Sequence, residues 1–136
     1  MSSKSILATV SSVDGTPNQI PILVVDDDTE VREILAETLS SYGYAVRSAS
    51  TGEEALLELS REPGIRLLIS DVRMAGMSGI ELVDRAVAVR PQLRVILMSG
   101  YFLPQHIDRR FLKKPFRMRD LAAAVAEELG VGPHLR

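Results

Sequence analysis

From Pro21 onward the chain alternates short apolar runs with stretches whose apolar residues recur every three or four positions. Ile22 to Val25 is an unbroken apolar run ending in acids, the signature of a buried strand. Val31, Ile34, Leu35, Thr38 and Leu39 then keep helical spacing, and Gly43 is placed to stop that helix in a left-handed turn. Tyr44 to Ser48 predicts a second strand. Thr51-Gly-Glu-Glu54 is a capping box that opens a helix to about Arg61.

Pro63-Gly64 breaks the chain before Ile65 to Ser70, a third strand running into Asp71. Ser78-Gly-Ile-Glu81 is a second capping box, with a helix to about Arg90 that Pro91 ends. Leu93 to Met98 predicts a fourth strand closed by Ser99-Gly100, and Phe111 to Lys113 a short fifth. Met118, Leu121, Ala122, Val125 and Leu129 give a last helix its apolar face, with Gly130 at its end. Strands that alternate with helices and read as apolar throughout predict an α/β fold with one doubly wound, five-stranded parallel sheet covered on both faces.

Composition narrows the function classes. The chain has 136 residues, enough for one domain. Its 16 Lys and Arg against 18 Asp and Glu give a net charge of −2, without the basic excess of a nucleic-acid module. No apolar stretch approaches the ~20 residues of a membrane span. Met1 to Val10 lacks the apolar run of a secretory signal. Cysteine is absent, which rules out disulfides and thiolate metal sites and suits the cytoplasm. Residues 1–20, rich in Ser, Thr, Asn and Gly, read as a flexible extension, residues 21–130 as the domain, and 131–136 as a tail.

Right-handed crossovers bring every strand's carboxyl end to one edge of such a sheet, where ligands bind. Asp26-Asp27-Asp28, Asp71, Ser99 and Lys114 all follow strands directly. Two carboxylates about 5 Å apart repel by roughly 3 kcal/mol at an effective dielectric near 20, so the cluster calls for a cation. Hard oxygen ligands suit Mg²⁺ or Mn²⁺. A carboxylate facing a cation, a lysine and a hydroxyl can act as nucleophile in phosphoryl transfer. Blander roles exist for each residue alone. Asp28 fits a helix N-cap, Ser99-Gly100 a plain turn, Lys113-Lys114 a solvated pair, and Phe111 the core.

The runs ILVVDDD (22–28), LLISDVRMAGMSGIEL (67–82), VILMSGY (95–101) and FLKKPF (111–116) resemble the receiver domain of two-component response regulators, with its flavodoxin- or CheY-like fold. The resemblance implies that Asp71 is the phosphoacceptor, with Asp27 a direct metal ligand and Asp26 its acidic neighbour. It makes the backbone carbonyl of Arg73 a third protein ligand, Ser99 the switch hydroxyl, Lys114 the phosphoryl-contacting lysine and Phe111 the aromatic switch. It further implies a histidine kinase or phosphotransfer protein as donor and a downstream protein as target. The chain is then a stand-alone receiver or a piece of a larger regulator or hybrid kinase.

Three departures from the family pattern stand out. Ala75 replaces a usual proline, which predicts a looser loop. Arg117 replaces a small polar N-cap, expected to weaken the last helix by about 1 kcal/mol. Lys114 follows Ser99 by only 15 positions, so residues 101–110 predict a shortened fourth helix. Arg73 and Tyr101 stand two past the acceptor and two past Ser99, positions that the resemblance implies influence dephosphorylation, and their bulk is expected to hinder an attacking water and slow the decay of a phosphoaspartate. Two other readings compete. One is a degenerate receiver that only binds a partner. The other is a haloacid-dehalogenase-like phosphatase, against which stands Glu30 where that family has Thr or Val.

Overall fold

A computed structural model describes residues 19–101 and 108–132. Five strands form one parallel sheet: β1 (Pro21–Val25), β2 (Ala45–Ala49), β3 (Leu67–Asp71), β4 (Arg94–Ser99) and β5 (Arg110–Lys113), in the order β2-β1-β3-β4-β5. Four helices are described: α1 (Thr29–Ser41), α2 (Gly52–Arg61), α3 (Gly79–Val89) and α4 (Met118–Leu129). The expected shortened helix between β4 and β5 falls largely on residues 102–107, outside the described residues.

The two-residue period of the strands divides the core. Leu23, Val25, Leu68, Val95 and Leu97 face one way, with Ala55, Leu59, Leu82 and Ala86 of α2 and α3. Ile22, Val24, Leu67, Ile69, Ile96 and Met98 face the other, with Leu35, Leu39, Leu121 and Val125 of α1 and α4. The interior strands β1, β3 and β4 are buried on both faces. β2 departs from the expectation of strands apolar throughout. It is an edge strand whose Ala45, Arg47 and Ser48 are exposed. Arg47 lies against Glu58 of α2 at 3.0 Å and Glu62, at its C-cap, at 3.3 Å, and such charge blunts an open edge.

The helix starts follow the sequence signals with local changes. The Asp28 carboxylate accepts from the Val31 N–H at 3.2 Å, as an N-cap does. Thr51 caps α2, but Glu54 reaches one residue further back than a capping box requires, to the Ser50 N–H at 2.6 Å. Ser78 caps α3, whereas Glu81 turns away to Arg85 at 2.8 Å. Arg117 has no acceptor atom in its side chain, so only the Asp120 half of a reciprocal cap exists, at 3.3 Å. Helix α4 ends at Gly130, which takes the left-handed conformation (φ 70°) that glycine adopts without penalty.

Candidate functional site

Strands β1 and β3 are neighbours, yet the chain leaves them toward opposite faces of the sheet: α1, after β1, packs on one and α3, after β3, on the other. A crevice therefore opens beyond their carboxyl ends. Asp26, Asp27 and Asp71 meet there, each offering a carboxylate oxygen within 4.8 Å of the others. Asp26 is buried and held twice: Oδ1 accepts from the Asp28 N–H at 2.9 Å, and Oδ2 from the Lys114 ammonium at 3.1 Å. Its backbone carbonyl accepts from the Arg32 guanidinium at 2.7 Å, which ties the end of β1 to α1. Asp27 is exposed, and its Oδ2 accepts from the backbone N–H of Ala75 at 3.1 Å.

Asp71 is 7% exposed and its Oδ1 lies 3.0 Å from the Lys114 ammonium. Burial pushes its carboxyl above the usual carboxylate range. Lys114 opposes that rise, while Asp26 and Asp27 add to it. Burial would lower Lys114, but its hydrogen bonds to Asp71 and Asp26 outweigh that and hold it above the ordinary lysine value. Lys114 precedes Pro115 across a cis peptide, and its backbone N–H donates to the Ser99 carbonyl at 2.7 Å.

The donor set fits a divalent cation. Three carboxylates face one ammonium, so the ionised cluster carries two negative charges that nothing within it offsets. All the side-chain donors are hard oxygens, the chemistry of Mg²⁺ or Mn²⁺.

Ser99 is buried at the end of β4, and its Oγ accepts from the Tyr101 N–H at 3.0 Å. Phe111 on β5 is half-buried and packs against the α2–α3 side of the core. Arg73 and Tyr101 come together: the guanidinium carbon lies 4.4 Å from the ring centroid, a cation–π contact. Three contributors were not foreseen from the residues: Arg32, the Ala75 N–H and Gly79. A Cβ on Gly79 would fall 2.1 Å from the Asp71 carbonyl oxygen, so only glycine lets α3 begin so close to β3. A cleft of about 760 Å³ lies at the other end of the strands beside Arg66, Arg90 and Glu128, away from this chemistry.

A parallel five-stranded sheet with an acid cluster and a lysine at its carboxyl edge defines a phosphorylation switch of the receiver class. The chain belongs to the response regulator receiver domain family, whose description matches residues 22–126. It is 33% identical to the response regulator receiver protein CpdR of Brucella abortus (strain 2308), over 79% of this chain and 95% of that one. It is 36% identical to the transcriptional regulatory protein FixJ of Azorhizobium caulinodans, over 84% of this chain but only 57% of FixJ. The crystal structure of the receiver domain from the hybrid histidine kinase CckA superposes with a TM-score of 0.73 at 37% identity, covering 80% of this chain and 98% of that one. Receiver domains are phosphoaccepting signalling switches of two-component systems, and neither the phosphatase nor the degenerate reading is favoured. Among the described residues, no helix is long and apolar enough to cross a membrane.

Proposed function

We propose that a histidine kinase or phosphotransfer protein delivers its phosphoryl group to Asp71, and that the modified chain then engages a downstream protein. One observation carries this reading: the Lys114 ammonium bridges Asp71 at 3.0 Å and Asp26 at 3.1 Å, on an edge where Asp27 also opens. With Oδ1 of Asp71 engaged by Lys114, Oδ2 is the oxygen offered for attack on phosphorus. The new O–P bond forms as the P–N bond of the donor's phosphohistidine breaks, and the imidazole leaves with that electron pair. Lys114 follows the charge onto a phosphoryl oxygen.

Mg²⁺ or Mn²⁺, held by Asp26, Asp27, Asp71 and the backbone carbonyl of Arg73, would supply further neutralisation of the phosphoryl oxygens. Ser99 gives up its contact with the Tyr101 N–H and donates its hydroxyl to the phosphoryl group, and Phe111 on the neighbouring strand follows. The chain assists only its own phosphorylation and dephosphorylation, in the cytoplasm, where its donor resides.

Intact mass after incubation with acetyl phosphate and Mg²⁺ tests the proposal. One phosphoryl adduct is expected in the native chain and none in Asp71→Asn. No adduct in either, from a folded protein, would leave a partner-binding module instead.

A further inference from the structure

The three acids of the cluster are not held equally. Asp26 is buried between two hydrogen-bond donors, and Asp71 is buried against Lys114. Asp27 alone is exposed, and an exposed carboxylate turns freely unless something ties it. The tie is the backbone N–H of Ala75, at 3.1 Å from Oδ2 across 48 positions of sequence. We infer that this N–H is a positioning donor: it fixes one oxygen of Asp27 so that the other faces Asp26 and Asp71, where a divalent cation would sit. The inference rests on reading the cluster as a cation pocket.

The donor is itself well anchored. Residues 72–78 link β3 to α3, and Met77 in that stretch is buried, its Sδ 2.6 Å from where a Cβ on Gly52 would lie. Gly79 rests on the Asp71 carbonyl, and its N–H donates to the Val72 carbonyl at 2.9 Å. Gly76 makes the turn between Ala75 and Met77 with φ 76°. A loop pinned at both ends can hold a donor in place, so the tie orients Asp27 rather than following it.

Residue type matters here through the backbone alone. A proline at this position would have no N–H to give. Alanine therefore supplies a contact that proline cannot make. Donors that orient a ligating carboxylate typically change metal affinity by ~10–100-fold when removed. For an exposed tie such as this, the lower end applies.

Calorimetric titration with Mg²⁺ of the native chain, Ala75→Gly and Ala75→Pro separates the donor from loop stiffness, with circular dichroism to verify folding. Ala75→Gly keeps the N–H and is expected to bind within about twofold of the native chain. Ala75→Pro stiffens the loop but loses the donor, and is expected to bind about tenfold more weakly. Amide exchange at Ala75 should slow when Mg²⁺ is added, since coupling between the two events is reciprocal. Native-like or tighter binding by a folded Ala75→Pro overturns the inference, and so does unchanged exchange at Ala75. If the native chain binds no Mg²⁺, the cation pocket itself is refuted and the inference falls with it.

Discussion

Replacing Gly79 by alanine would press a methyl group into the backbone of Asp71, the proposed acceptor. The added Cβ would lie 2.1 Å from the Asp71 carbonyl oxygen, 2.9 Å from its carbon and 3.0 Å from the Val72 Cα. Carbon and oxygen need about 3.3 Å, so α3 and the end of β3 must separate by roughly 1 Å. Overpacking of this kind costs ~1–3 kcal/mol. Weakening the 2.9 Å bond from Gly79 to Val72 adds up to ~1 kcal/mol, and the better helix propensity of alanine returns a similar amount. A net loss of ~1–3 kcal/mol leaves a typical domain folded but lowers its urea midpoint by about 1 M. The same displacement moves Asp71, the proposed nucleophile, and a 1 Å misplacement costs on the order of 100-fold in rate. Urea unfolding and the rate of adduct formation with acetyl phosphate read the two effects. Gly64→Ala is the control, since its nearest neighbours lie at 3.4 and 3.7 Å, ordinary contact. If Gly79→Ala matches the native chain in both midpoint and rate, the close approach does not govern Asp71.

Three other outcomes are expected. Glu128→Ala removes contacts to Arg94 at 3.1 Å and Arg110 at 2.8 Å, both to a mostly buried carboxylate, and should cost ~1–2 kcal/mol in urea unfolding; a loss below about 0.3 kcal/mol would show the clamp to be idle. Glu54 is held below its ordinary value of 4.5 by the Ser50 N–H and then the Ser50 hydroxyl. Its stabilisation is thus complete above 4.5 and lost as pH falls through the depressed value, so Glu54→Gln should flatten the acid limb of stability against pH. An unaltered limb counts against the contact. Tyr101→Ala and Arg73→Ala each dismantle the stacked pair formed two residues past Asp71, the proposed acceptor, and should shorten the lifetime of the phosphorylated form, followed by loss of the mass adduct. Equal decay in all three proteins would mean that crowding there does not control hydrolysis.

Much of the fold was legible because strand alternation and caps are local. Ile22 to Val25 and Leu67 to Ser70 announce strands buried on both faces, and Thr51 and Ser78 announce helix starts at the positions observed. The convergence of Asp26, Asp27, Asp71 and Lys114 followed from topology, since parallel strands collect their carboxyl ends on one edge. What escaped was fixed by tertiary approach. Glu128 meets Arg94 and Arg110 across 34 and 18 positions, a pairing without periodic trace. The exposure of β2 depends on its place at the edge, which the run Tyr44 to Ser48 does not encode. Ala75 reads as a looser loop when judged by the missing proline, yet its backbone grips Asp27, because an amide invisible in a side-chain pattern finds an acceptor brought from β1.

Lys114 gives the resting pocket a tenant of its own. Its ammonium already satisfies two acids, so under the proposed function an arriving phosphoryl group would not find an idle cation but would draw one away from an existing pair. Modification as proposed would thereby be an exchange of allegiances, leaving the oxygen abandoned on Asp26 available to another positive charge.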